Sequence, residues 1–148
     1  MEKQIKQIEK LFSNDKVIYT GSFALSIMGL IQKVKDLDII IVNASKETKD
    51  ILERLHEPFN ADYPKTENQY RILIEDVSVD VWLVDKEIDC LKVEYKEKMI
   101  NIRTAGHIIK AKKKYNRLKD VLQLKVISEM FYKPDDLDKF IKLKQSQL

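Results

Sequence analysis

The run Leu37–Val42, LDIIIV, constrains this 148-residue chain more than any other segment. Nowhere else are branched aliphatic residues so concentrated, and such side chains pack best on a pleated strand. Side chains alternate along a strand, so Asp36 and Asp38 point to one face while Leu37, between them, points into the core. Two carboxylates held that way repel each other unless a cation lies between them. Hard oxygen donors of this kind suit Mg²⁺, which keeps waters and takes phosphate oxygens as its remaining ligands. Taken alone, the pair is better read as a solvated strand end.

The elements around this strand follow from periodicity and punctuation. Ile5, Ile8, Leu11 and Phe12 recur at helical spacing, which predicts an amphipathic helix over residues 2–12. Asn14-Asp15 breaks it, and KVIYT (Lys16–Thr20) is a short strand followed by Gly21 and a helix over 22–30. Ser45 is placed to cap a helix running to Leu55. Residues 56–68 carry two prolines and no periodicity, so they form a loop. RILIE and VDVWLV read as a β-hairpin, and residues 98–102 as one further strand. Thr104 caps a helix through Tyr115, Asn116 ends it in a left-handed turn, and another helix covers 118–131. Pro134 opens a last helix whose dipole Asp135 and Asp136 complement. This order predicts an α+β fold: a mixed β-sheet covered on one side by helices, with C-terminal helices. A single domain spans 1–148, with a core of about 15–103 and a helical part of about 104–148.

Composition narrows the setting. A chain of this size buries roughly two thirds of its unfolded surface, so it folds without staples. The one cysteine, Cys90, excludes an intrachain disulfide and suits a reducing compartment. The first residues, MEKQIKQIEKLF, lack the apolar core of a signal peptide, and no apolar run reaches the length of a membrane span. A cytoplasmic protein with no membrane partner is expected. The net charge is only +3, yet from Lys92 to Lys119 ten Lys or Arg residues stand against two acids, Glu94 and Glu97. Such a stretch is either a solvated helix face or an attractor of polyanions such as triphosphates or RNA.

Two further features join the aspartate pair. Gly21-Ser22 lies between a strand and a helix, where glycine permits close approach and the first helical turn offers unpaired N–H groups to a phosphate. The same dipeptide is also an ordinary turn and cap. Asp80 lies within VDVWLV, among β-branched and aromatic neighbours, where a carboxylate is costly without a partner. A metal shared with Asp36 and Asp38 provides one partner; a salt bridge to Arg71 across the hairpin provides another.

Gly-Ser after a strand, thirteen residues, Asp-x-Asp opening a strand, and a lone Asp in a later hairpin strand together resemble the nucleotidyltransferase superfamily that includes DNA polymerase β. The resembling stretches are YTGSFALSIMGLIQKVKDLDIII and SVDVW, and MGLIQKVKDLDIII is also similar to tRNA nucleotidyltransferases. NIRTAGHIIKAKKKYNRLKD is similar to the ending of small bacterial enzymes of the AbiEii toxin and the lincosamide- and aminoglycoside-modifying kinds, except that Gln123 stands where those carry Asp. The likeness covers roughly residues 15–130. It implies Mg²⁺- or Mn²⁺-dependent transfer of a nucleoside monophosphate from a triphosphate such as ATP to a hydroxyl acceptor: an RNA end, a protein side chain, as in toxin–antitoxin pairs, or a small molecule. Asp36, Asp38 and Asp80 are then the catalytic metal ligands, and Gly21 and Ser22 cradle the β- and γ-phosphates. Lys110, Lys113, Lys114 and Arg117 share a helical face, from which Lys110 and Lys114 contact phosphates. His107 is a helix-surface or core residue, His56 has no assigned role, and Trp82 and Tyr70 are packing residues. Assembly as a dimer is compatible with this reading. A catalytically silent nucleotide- or RNA-binding module is the competing one.

Overall fold

Strand β2 (Leu37–Val42) lies in the interior of a single sheet, as its composition demands. A computed structural model describes residues 1–27, 29, 34–57, 66–118 and 120–122. In chain order the other elements are α1 (Glu2–Leu11), β1 (Lys16–Thr20), α2 (Gly21–Ile27), α3 (Lys46–Leu55), β3 (Gln69–Ile74), β4 (Val77–Val84), β5 (Cys90–Tyr95), β6 (Lys98–Arg103) and α4 (Ala105–Tyr115). The six strands run in the order β3-β4-β2-β1-β6-β5. β2 pairs antiparallel with β1 and parallel with β4, β1 is parallel to β6, and β3 and β5 close the edges as hairpin partners of β4 and β6. The predicted mixed sheet is therefore present.

Helices cover one face of it. Leu37, Ile39 and Ile41 of β2, Val17 and Tyr19 of β1 and Val79 and Val81 of β4 share one core cluster with Ile5 and Ile8 of α1, Phe23 and Leu25 of α2, Leu52 of α3 and Ile108 and Ile109 of α4. Two tyrosine hydroxyls tie the layers together. Tyr19 donates to Glu9 of α1 at 3.0 Å, and Tyr70 donates to Glu53 of α3 at 2.6 Å. The alternate residues Ile18, Ile40 and Val42 form a second, smaller cluster with Trp82, Val84 and Ile88 on the other face. Among the described residues no helix is long and apolar enough to cross a membrane.

Several boundaries differ from expectation for identifiable reasons. Ser45 does cap α3, accepting from Thr48 N–H at 3.2 Å, while Asp15 accepts from both the N–H and the hydroxyl of Ser45. The helix after Gly21 ends sooner than residue 30, because Gly29 takes φ +78° and accepts no helical role beyond bonding Ser26 O. Strand β5 escaped the sequence reading. Its hairpin turns through Lys96 and Glu97, both at positive φ, without the Asn or Gly that normally marks such a turn. Thr104 does stand at the N-cap of α4, but its hydroxyl bonds His107 Nδ1 at 2.7 Å and makes no cap bond. Asn116 ends that helix at φ 50°, ψ 35°, as expected. Leu118 and residues 120–122 are helical. Lys119, Gln123, the rest of the predicted 118–131 helix, the Pro134 helix and residues 58–65 of the loop lie outside the described residues.

Just beyond Asn116 the chain is tied to α4 through a carboxylate. Asp120 is fully buried and accepts from the Lys112 ammonium at 3.3 Å, from Arg117 Nε at 2.7 Å and from the Arg117 backbone N–H at 3.2 Å. Burial pushes its pKa up, but the Arg117 hydrogen bonds and the Lys112 and Arg117 charges outweigh that, and the net shift is downward. A group whose folded pKa is depressed stabilises the fold fully above its ordinary value of 3.8 and loses that contribution as the pH falls below it. Asp120→Ala removes the buried carboxylate that the Lys112 ammonium and Arg117 share, so urea unfolding at pH 7 is expected to show a loss of about 3 kcal/mol. The difference from wild type should shrink when the unfolding series is repeated below pH 3.8.

Candidate functional site

Strand register assembles the site. Thr20 of β1 lies opposite Asp38 of β2, Asp38 opposite Asp80 of β4, and Asp80 opposite Arg71 of β3. Directly opposed residues share a face, so Thr20, Asp38, Asp80 and Arg71 form a row across four strands. The row lies on the face away from the helices, because Leu37, Ile39, Val79 and Val81 fill the other one. Asp36 is exposed on the bend just ahead of β2, while Asp38 and Asp80 are half-buried and Thr20 is buried.

Gly21 meets this row end-on. Its φ is +63°, and a Cβ placed there would collide with Asp38 Oδ2 and approach Asp38 Cγ to 3.2 Å. Glycine is therefore needed twice over, for the backbone angle and for room beside the carboxylate. Ser22, half-buried, is the next residue of α2, so the first N–H groups of that helix open beside Asp38.

Arg71 supplies positive charge within the row. Its Nε donates to Asp80 Oδ1 at 2.8 Å. That hydrogen bond raises the Arg71 pKa above its ordinary value; burial opposes the shift, and the charges of Asp80, Asp36 and Asp38 add to it. All three aspartates thus act on one guanidinium. The backbone of Arg71 is fixed as well: its N–H donates to His56 Nδ1 at 3.3 Å, and its carbonyl accepts from Glu57 N–H at 2.7 Å. The His56 ring stands edge-on to Tyr70, 5.6 Å between centroids, and the Glu53 hydrogen bond pushes the Tyr70 pKa up to about 12.

The donor set near Asp38 and Asp80 consists of hard carboxylate oxygens, which fit a divalent cation of the Mg²⁺ or Mn²⁺ kind. Among the described residues, however, no three His, Cys, Asp or Glu side chains are gathered closely enough to hold one ion. Two adjacent carboxylates and a third at the strand mouth are present, with the Arg71 guanidinium among them.

The basic stretch divides into two kinds of residue. Lys110, Lys113 and Lys114 are exposed on α4, and neither Lys110 nor Lys114 forms an ion pair among the described residues. Arg117 does not share their helical face: α4 ends at Tyr115 and Arg117 turns back to Asp120. Lys112, on the opposite side, is buried against the same carboxylate.

No model of a known protein family matches the chain, nor does the sequence of any curated protein. Solved structures do match it. One is a Thermotoga maritima protein provisionally assigned as a nucleotidyltransferase, at 15% identity and a TM-score of 0.56, with 86% of this chain covering 93% of that one. Another is ANT(2″)-Ia, an aminoglycoside nucleotidyltransferase in complex with adenylyl-2″-tobramycin, at 13% identity and a TM-score of 0.60, with 97% of this chain covering 95% of that one. The chain has the nucleotidyltransferase fold.

The salt bridge from Arg71 to Asp80 across the hairpin, one of the two partners the sequence offered for Asp80, is present, because the two-residue turn at Glu75 and Asp76 sets Arg71 opposite Asp80. Sequence reasoning had not counted Thr20 as a neighbour of the aspartates, because its place beside Asp38 depends on a pairing between strands separated by a helix. Gly21→Ala is expected to destabilise the fold by about 1–2 kcal/mol, the cost of a left-handed alanine, and to displace Asp38. Gly106→Ala serves as the control: a Cβ there meets nothing within 4 Å, so in helix α4 it should stabilise by roughly 0.5–1 kcal/mol. Urea midpoints of the two variants against wild type measure both effects.

Proposed function

We propose that the chain is a divalent-metal-dependent nucleotidyltransferase that moves a nucleoside monophosphate from a nucleoside triphosphate, such as ATP, to a hydroxyl acceptor and releases pyrophosphate. The observation that carries this reading is the row in which Asp38 stands beside Asp80 on the open face, with Gly21 closed against Asp38 at the strand–helix turn. The fold shared with ANT(2″)-Ia and the Thermotoga maritima protein supports it.

In this reading Asp38 and Asp80, with Asp36 at the strand mouth as a further donor, would hold Mg²⁺ or Mn²⁺, whose remaining ligands would be water and phosphate; the ion would neutralise the triphosphate and favour ionisation of the acceptor hydroxyl. The protein's own residues do the rest. The N–H groups at Gly21 and Ser22 donate to β- and γ-phosphate oxygens, drawing charge away from the leaving pyrophosphate. Asp80 orients the acceptor hydroxyl and takes its proton as the acceptor oxygen bonds to the α-phosphorus. The bond from that phosphorus to the bridging oxygen breaks in line, and pyrophosphate carries the electron pair away. Lys110 and Lys114, exposed and mutually one helical turn apart, add phosphate contacts from α4. The acceptor is a small molecule, an RNA end or a protein hydroxyl; the last would join the chain to AbiEii-type toxin–antitoxin systems.

One observation favours a second reading. Asp80 is already neutralised by Arg71, which is what a silent nucleotide- or RNA-binding module would retain after losing its metal. The two separate in a single assay. The protein is incubated with Mg²⁺ and each α-labelled triphosphate in the presence of an aminoglycoside, total RNA or lysate protein, and transferred label is counted. Transfer is expected, and Asp38→Asn should lower it on the order of 10²–10³-fold. Label that persists in Asp38→Asn removes Asp38 from the chemistry. Binding of triphosphate without transfer to any acceptor establishes the silent module instead.

A further inference from the structure

We propose that Arg71 is a placeholder cation, occupying the carboxylate row through Asp80 until a divalent ion displaces it. The inference rests on the nucleotidyltransferase reading and goes beyond it by giving a role to a residue outside the aspartate set. Arg71 Nε is 2.8 Å from Asp80 Oδ1, on the same face as Asp38, and the charges of Asp36 and Asp38 act on it too. An ion ligated by Asp38 and Asp80 would share the Asp80 carboxylate with Arg71, and its two positive charges would repel the guanidinium at close range. The anchoring of Arg71 suits displacement. Its backbone is held at both polar groups by His56 and Glu57, so the side chain can swing without unzipping β3. As β3 is an edge strand and Arg71 lies on the face opposite the described helices, its guanidinium can leave Asp80 without opening a cavity in the core.

Competition predicts the direction of a substitution that ordinary structural support would reverse. With Arg71 removed, the row loses its internal cation and should bind a divalent ion more tightly, whereas a residue that merely shapes the site should weaken binding when lost. The probe is Mn²⁺ alone, titrated into the full chain without nucleotide and followed by electron paramagnetic resonance. Arg71→Gln is expected to bind Mn²⁺ roughly fivefold tighter than wild type, the factor for loss of one partly exposed ion pair. Arg71→Lys, which keeps the charge, should stay nearer wild type. Unchanged or weaker binding by Arg71→Gln, with Mn²⁺ bound by wild type and lost in Asp38→Asn, overturns the placeholder and leaves the metal site standing. No Mn²⁺ binding by wild type or Arg71→Gln overturns both readings. Should Arg71→Gln not fold, as judged by circular dichroism, the wild-type chain decides the matter. It has four arginines, and the Arg71 Nε–H signal, identified from Arg71→Lys, should shift when saturating Mg²⁺ is added. A signal that stays in place while Mg²⁺ binds overturns the proposal.

Discussion

The burial of Leu37, Ile39 and Ile41 determines where the charges go. All three are fully buried against the helices, at about 1.5–3 kcal/mol each for a side chain of this size. Strand alternation then leaves Asp38 no choice but the opposite face. A slip of one residue would bury the carboxylate and expose three aliphatic side chains, so the register of β2 is locked by hydrophobic packing. Its neighbours inherit the lock. Pairing with β1 brings Thr20 to Asp38, pairing with β4 brings Asp80, and the β3–β4 hairpin brings Arg71. The polar row is thus positioned by apolar contacts on the far side of the sheet.

The two faces are supported differently, and that asymmetry is what leaves room for chemistry. On the helix face, Tyr19 and Tyr70 extend through the core to Glu9 and Glu53, so even the polar contacts there brace one layer against the other. On the other face, among the described residues, the buried apolar cluster is the small one of Ile18, Ile40 and Val42, with Ile40 two residues along from Asp38. The described helices all pack on the far side of the sheet from the row.

How legible all this was in the sequence depends on the range of the interaction. Local signals carried well: the β-branched run of β2, the Ser45 cap and the Asn116 left-handed end each declare themselves within a few residues. The mixed sheet and its one-sided helical cover also followed from element order. β5 did not, because Lys96-Glu97 turns the chain at positive φ without glycine or asparagine, and because Lys92 and Glu94 read as surface charge rather than as the outward half of a strand. The basic segment misled for a related reason. Arg117 fits the spacing of Lys110 and Lys114 only on a helix that continues, and the turn at Asn116 redirects it to Asp120. Lys112, which looked like its exposed neighbours, is the buried one. Partners that depend on a long-range strand pairing or on where a helix ends are invisible to spacing, whereas the Arg71–Asp80 bridge, one tight turn apart, could be read.

Arg71 shows how such a site can exist before it has a ligand. Three aspartates grouped at one strand end raise one another's electrostatic energy, and a fold that waited for a cation to relieve them would carry that repulsion in its empty state. A guanidinium one strand away relieves it within the chain, at the moment the β3–β4 hairpin forms. Its position at the edge limits the consequence: a cation inserted between β2 and β4 would be part of the core, whereas one reaching in from β3 can yield. The strength of the pair therefore sets two opposing properties, the stability of the unliganded sheet and the ease with which the row accepts a divalent ion. A lysine in its place would neutralise less firmly, since a single ammonium lacks the fork of donors that fits a carboxylate. An arginine on an edge strand holds the row together while leaving it open to exchange.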